Sequence, residues 1–295
     1  MGLIPRLAPQ QQYLGGMVSS RRYTIRQCLM AFGAALVLPG LIFAALLLWR
    51  YASSERGRYE EEALGTAQRI VGAVDREMVG IQASAQALAT SSSLLEGNLE
   101  AFHRQARMTL QSWSKQRTDD YAVVVRDITG QQIVNTRLPW GSPLPKGANL
   151  PIDQQVIASK QPVIQDLFTG ATAGRPIVSI RVPVLEGDAV THVLSMAIDP
   201  RRIAEILLAQ NLPTSWVTTI IDRANRVVAR SRQQEAFLGK GAPDEFLSAA
   251  QEAAGIWEGR NLEGTAVLGA YARSGVSGWT AFVGVPAEIV QAPLH

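Results

Sequence analysis

The sequence has one cysteine, three histidines and, among its 28 basic residues, only four lysines. A single thiol, Cys28, excludes a disulfide framework and any cysteine-based zinc site. None of His103, His192 and His295 has a second ligand at metal spacing, and no HExxH or EF-hand pattern occurs. There is no G-x-S-x-G elbow and no phosphate-cradling glycine motif; the glycines of residues 238–242 (LGKGA) stand alone. The chain is therefore expected to be non-catalytic over its 295 residues, with no cofactor and no metal.

Acids are also missing, but only locally. Residues 1–50 carry five arginines (Arg6, Arg21, Arg22, Arg26, Arg50) and no Asp or Glu. Of the chain's 28 bases and 25 acids, that leaves 23 bases against 25 acids in the remainder. The net charge of +3 is thus a basic tail on a near-neutral body. A nucleic-acid binder needs a basic face that neutralises several phosphates, and none follows residue 50. With 47% hydrophobic residues, the chain has the composition of a folded domain.

What the tail adjoins is a run without charge, residues 27–49 between Arg26 and Arg50. Its apolar part, residues 29–49, is about 31 Å long as a helix, enough to cross a bilayer core. It exceeds a signal-peptide h-region, and no small-x-small cleavage site follows. It is apolar all round, unlike a helix buried on one face. The flanking arginines place residues 1–26 in the cytoplasm and residues 51–295 outside it. Beyond it, Ala67, Val71, Val74, Met78, Ile81, Ala85 and Leu88 recur at alternating spacings of four and three, a seam on a long stalk helix. That seam fits either pairing with a second protomer, as a parallel homodimer, or packing on its own domain. Residues 91–93 break the helix, and Asn98 caps a second one with Leu99, Phe102, Ala106, Leu110 and Trp113 on one face.

After Thr118 the period becomes that of strands. Residues 121–126 (YAVVVR) form a strand, 127–130 a turn and 132–136 its return. Residues 137–151, with four prolines and two glycines, are a loop. A short helix near 152–159 and strands at 162–167, 176–184 and 191–198 follow, then a helix at 200–209. This plan repeats. Residues 123–137 (VVVRDITGQQIVNTR) align without gaps on 218–232 (TTIIDRANRVVARSR), setting Asp127 on Asp222, Gly130 on Asn225 and Arg137 on Arg232. Gly and Asn are the residues that best accept the positive φ of a tight hairpin turn. The second copy continues with a helix at 243–251 and strands at 255–262, 266–274 and 279–285, with Trp216, Trp257 and Trp279 as core. The fold class is α+β: an N-terminal transmembrane helix, a stalk helix and two tandem PAS-like modules, each with an antiparallel sheet.

A span, a long helix and two such modules together resemble the double Cache extracytoplasmic sensor domain of bacterial membrane-bound sensor histidine kinases. The quoted hairpin of the second copy, with residues 271–286 (YARSGVSGWTAFVGVP), carries the resemblance most specifically, and residues 162–184 carry it in the first. The resemblance covers about residues 51–290. It implies domain limits at 1–26 (cytoplasmic tail), 27–50 (span), 51–117 (stalk and second helix), 118–200 (membrane-distal module) and 201–290 (membrane-proximal module). Residues 291–295 would begin a second span, followed by an output domain. It implies the bacterial inner membrane, with residues 51–295 periplasmic.

The resemblance also implies a small-molecule pocket in the distal module, between the sheet and its long loop. Period 2 puts Ile177, Ser179 and Arg181 on one strand face and Val178, Ile180 and Val182 on the other. Arg181 with Ser179 fits a carboxylate or other anion, because a guanidinium offers paired donors. Asp166 falls where amino-acid-binding members hold an ammonium, and Arg137 and Trp140 where they carry an Arg–aromatic cluster. Trp113 and Tyr121 are candidate walls. Those members show Arg-x-Trp-Tyr, whereas here Arg137-Leu-Pro-Trp140 precedes Gly141, which leaves amino-acid specificity open. Each of these residues has a structural reading too: surface arginines, a turn-capping Asp, core aromatics. The expected ligand is a small polar or carboxylate-bearing metabolite. The output would be histidine autophosphorylation, with chemoreceptor or diguanylate cyclase signalling as alternatives. From a different class, the chain also fits a membrane-anchored periplasmic binding or scaffold protein.

Overall fold

The computed structural model describes residues 25–113, 120–145 and 150–291. Contacts divide the chain into two units, residues 1–51 and 52–295. Helix α1 runs Ile25–Ala89 without a break at Pro39. The described apolar side chains of its first unit are exposed, with Phe32, Leu36 and Phe43 at 71%, 69% and 62%. Among the described residues no helix is long and apolar enough to cross a membrane. The expected span includes side chains at 27, 28, 31, 48 and 49 that lie outside the described residues.

In the second unit, α1 ends at a run of three serines, the first of which competes for its backbone: Ser91 Oγ donates to the Leu88 carbonyl. A turn of helix, α2 (Ser92–Leu95), precedes α3 (Leu99–Trp113), whose cap is Asn98. Its Oδ1 accepts from the Ala101 N–H at 3.2 Å. Two five-stranded antiparallel sheets follow. The first holds β1 (Tyr121–Asp127), β2 (Gln132–Asn135), β3 (Val163–Thr169), β4 (Pro176–Glu186) and β5 (Ala189–Ile198) in the order β2-β1-β5-β4-β3, with α4 (Pro151–Ser159) between β2 and β3. After α5 (Pro200–Leu208), the second holds β6 (Val217–Ile221), β7 (Val227–Arg230), β8 (Ala254–Arg260), β9 (Ala266–Arg273) and β10 (Thr280–Pro286) in the order β7-β6-β10-β9-β8. Helices α6 (Gln234–Phe237) and α7 (Asp244–Ala249) lie between β7 and β8, and α8 (Ala287–Gln291) follows β10. The two sheets have the same strand order, as the internal repeat requires.

The repeat extends to individual hydrogen bonds. Gly130 and Asn225 both take positive φ (89° and 63°) and bond back to the carbonyls of Asp127 and Asp222, each at 3.0 Å. The Thr136 hydroxyl accepts from the Val123 N–H at 2.9 Å, and the Ser231 hydroxyl from Thr218 at 3.0 Å. Each first strand also has a bulge just before its turn, at Val125/Arg126 and at Ile220/Ile221.

One hydrophobic core joins α1, α3, α5 and the inner faces of both sheets. Six of the seven seam residues, Ala67, Val74, Met78, Ile81, Ala85 and Leu88, are buried in it, and Val71 packs against it. The seam is thus consumed within the chain. Burying Met78, Ile81 or Leu88 is worth about 1.5–3 kcal/mol each. Polar contacts also fix α1: the Tyr121 hydroxyl donates to Glu77 at 2.9 Å and the Ser274 hydroxyl to Asp75 at 2.5 Å.

Candidate ligand-binding site

Strand alternation gives the first sheet a polar outer face. On β4, Val178, Ile180 and Val182 enter the main core, as the period-2 reading expects. Ile177 packs outward with Ala122 and Ala197. On β1 the same alternation turns Val123 and Val125 inward and puts Arg126 with Val124 on the outer side. Across the ladder Val124 faces Ser195, and Ser195 faces Arg181. Helix α4 covers part of this face with Val156. It also delivers Asp153, which is 3% exposed.

The result is a buried ionic cluster. Arg181, fully buried, is ion-paired to Asp153 and donates to Gln165 Oε1 at 2.5 Å. Ser179, also fully buried, donates to the same Gln165 oxygen at 3.0 Å. Arg126, 8% exposed, has no hydrogen-bond partner at Nε or Nη1. Burial lowers the Arg126 pKa, with Asp153 opposing the shift. Burial likewise pulls Arg181 down to about 10; Asp153 works against this and Arg126 adds to it. Two buried guanidiniums therefore share one carboxylate, an arrangement short of one negative charge.

A cavity of about 30 Å³ lies over this face, lined by Arg126, Gln132, Asn135, Arg137 and Phe168, with Thr172 on the loop that closes it. The Phe168 ring stands 5.8 Å from the Arg181 guanidinium carbon and also lines the cavity. A larger open cleft, about 460 Å³, lies beside α5, but its one charged lining residue, Arg232, is exposed.

Of the residues expected in the pocket, Arg137 lines this cavity, and Ser179 and Arg181 form the cluster beside it. Three others lie elsewhere. Tyr121 is on the inner face of β1, bonded to Glu77 and to Arg202, and burial raises its pKa to about 12. Trp140 is 47% exposed and packs on His103 of α3, ring centroids 5.7 Å apart. Asp166 turns away from Gln165 at a bulge between Gln165 and Phe168. Its carboxylate accepts from Trp279 Nε1 at 2.8 Å and Arg223 Nε at 3.0 Å, both from the second half of the chain. The Trp113 side chain lies outside the described residues. Sequence reading missed Arg126, Asp153 and Gln165. Arg126 was legible as a charge at an even position in an otherwise apolar strand; Asp153 and Gln165 needed the placement of α4 and the β3 register.

The bulge gives β3 a second role. It is an edge strand, so its outward backbone groups need partners. The β6–β7 turn supplies them: the Leu167 N–H donates to Asp222 Oδ2 at 3.1 Å, and Arg226 and Arg223 donate to the Leu167 and Ile164 carbonyls. Gln165 of the cluster is thus one residue from a clamp onto the second sheet.

No protein-family model matches the sequence, and no curated protein matches it. The fold is similar to that of several solved sensor domains. The ligand-binding domain of the Campylobacter jejuni chemoreceptor Tlp3, in complex with L-valine, matches with a TM-score of 0.59 at 13% identity, over 81% of this chain and 97% of that one. The sensor domain of the V. cholerae histidine kinase DctB matches at 0.55 and 13%, over 77% and 96%. The ligand-binding domain of the Pseudomonas fluorescens chemoreceptor CtaA, with L-serine, matches at 0.60 and 12%, over 79% and 99%.

Proposed function

We propose that this chain is the extracytoplasmic sensing region of a membrane-bound signalling receptor, a two-component histidine kinase, and that its first sheet binds a small carboxylate. The exposed apolar side chains of α1 suit a bilayer, with residues 27–50 as the span, 1–26 cytoplasmic and 51–117 the stalk and second helix. Residues 118–200 and 201–290 are then the distal and proximal modules. With its seam buried, a parallel homodimer would meet through the opposite face of α1, where Gln68, Arg76 and Val79 are exposed.

The observation that carries the ligand reading is Arg126, buried, lining the cavity and holding two unpartnered donors. A carboxylate would satisfy both and supply the missing charge. Tlp3 and CtaA were solved with L-valine and L-serine. Among the described residues Asp166 faces away, and Asp153 is ion-paired to Arg181 through one oxygen, so the only acidic atom left for an ammonium is its buried Oδ2, on a carboxylate that two guanidiniums already share. A simple carboxylate fits better than an amino acid. Signal would pass from Arg126 and Gln165 through β3 to the β6–β7 turn and α1. A chemoreceptor output is the second reading, since Tlp3 and CtaA share the fold.

The test is thermal unfolding of the full chain in detergent, with sodium acetate, succinate or serine against sodium chloride at equal ionic strength. Acetate or succinate should raise Tm by simple linkage. Arg126→Ala should abolish the rise and Asp166→Ala should keep it. A rise only with serine, or an unchanged rise in Arg126→Ala, defeats the assignment. The pH profile follows from Arg181. Its lowered pKa keeps the guanidinium charged up to about 10, so the response should be flat from pH 6.5 to 9 and decline as pH rises through 10.

A further inference from the structure

The second sheet has its own cavity at the positions that form the first sheet's site. Val124 corresponds to Thr219 through the repeat, and the ladders carry the match outward. Val124 faces Ser195 and Thr219 faces Phe282; Ser195 faces Arg181 and Phe282 faces Tyr271. Likewise Ser179 matches Gly269, Gln165 matches Trp257, and Arg126 matches Ile221. Arg126, Arg181, Gln165 and Ser179, the strand members of the first cluster, are thus each replaced by an apolar or aromatic residue or a glycine. Phe246 of α7 closes the set, with edge-on contacts to Trp257, Tyr271 and Phe282 at 5.2–5.7 Å.

This face is built to hold those rings. A Cβ on Gly269 would stand 2.4 Å from the Phe282 ring, and one on Gly259 2.2 Å from Trp257. The glycines let both rings lie flat along the strands and shape a fixed apolar chamber. Beside it is a cavity of about 30 Å³, lined by Phe246, Trp257, Phe282, Ala242 and Arg230. That is room for about two water-sized groups.

Arg230 is its one charge. It is 3% exposed, stacks on Phe237 at 4.4 Å, and its Nε has no partner. Its Nη2 lies 2.9 Å from Glu263 Oε2, but that N–H is not directed into a hydrogen bond. Glu263 comes from the β8–β9 turn, and its side chain is 25% exposed. Burial lowers the Arg230 pKa, with Glu263 opposing. The Glu263 carboxylate, which also accepts from Asn261 Nδ2 at 3.1 Å, thus stands at the guanidinium where a ligand's carboxylate would compete.

We propose that the second sheet holds a separate binding site for a small monocarboxylate with an apolar tail. The tail occupies the aromatic chamber and the carboxylate displaces Glu263 from Arg230. Selectivity is opposite to that of the first site: an uncharged or dicarboxylate analogue loses either the ion pair or the apolar fit.

The test uses the full chain in detergent with sodium propionate, whose two-carbon tail matches the cavity, as the probe and propionamide as its neutral counterpart. Propionate at tenfold excess over its Kd should raise Tm by about 3 °C, and propionamide by much less. The rise should persist in Arg126→Ala, which removes the first site. It should vanish in Arg230→Gln and also in Ala242→Leu, which fills the cavity while keeping Arg230. Glu263→Gln should tighten binding several-fold. If propionate gives no rise in wild type, or a rise that Arg126→Ala abolishes or that survives Ala242→Leu, the second site does not exist.

Discussion

The two sheets share strand order and the turn and bulge of their first hairpins, yet their outer faces are built from opposite materials. The first carries Arg126, Arg181, Gln165 and Ser179; at the same register positions the second carries Ile221, Tyr271, Trp257 and Gly269. Their inner faces, in contrast, enter one shared core and are apolar in both. The backbone plan is therefore fixed by turns and inner faces, and the outer face is free to vary. Such a face is where one fold can acquire different ligands.

The comparison breaks most visibly at Asp153. On the first face it is the acid paired with buried Arg181, which otherwise donates to the neutral Gln165, and it lies within reach of the charge on Arg126. Asp153→Ala leaves two buried guanidiniums uncompensated and should cost about 3–5 kcal/mol. Adding Arg181→Met, which moves this face toward the apolar character of the second, should recover most of that loss. Urea unfolding of the single and double variants checks both. A double variant no more stable than the single would mean that the ion pair is not what the face depends on.

Smaller effects are expected where the two faces differ by one side chain. At Gly269 a methyl group would meet the Phe282 ring, so Gly269→Ala should cost about 1–3 kcal/mol through overpacking. At the matching position, Ser179→Ala only removes the hydroxyl bond to Gln165 and should cost about 1 kcal/mol. Equal losses in urea unfolding would show that the glycine does not exist to accommodate the ring.

How much of this was legible in the sequence follows the same division. Turns and inner faces announce themselves: the Asp–x–x–Gly/Asn spacing and the alternation of β4 located both hairpins and the core side of the strand. The seam of α1 read correctly as buried, but its spacing could not say against what. Asp166 was placed by family resemblance, and its carboxylate instead meets Trp279 and Arg223; the bulge beside it, between Gln165 and Phe168, leaves no period to read. Trp140 was placed by a motif whose spacing differs here, and it packs on His103. The outer-face pattern was present at Arg126, but its meaning depended on Asp153, which arrives from α4, remote in sequence.

The smallest predicted effect concerns what the copies share. Gly130 and Asn225 occupy one turn position, at φ 89° and 63°, and each N–H bonds to the carbonyl of its Asp. Asn accepts the left-handed region at little penalty, whereas a β-branched residue does not. Exchanging the two, Gly130→Asn with Asn225→Gly, should change stability by no more than about 0.5 kcal/mol. Val at either position should cost several times that. The second turn is the stricter test, because Asp222 both closes it and accepts from Leu167 of β3. If Asn225→Gly costs clearly more than Gly130→Asn, the turn is tuned for the clamp between the sheets and the two copies are not interchangeable even where their backbones agree.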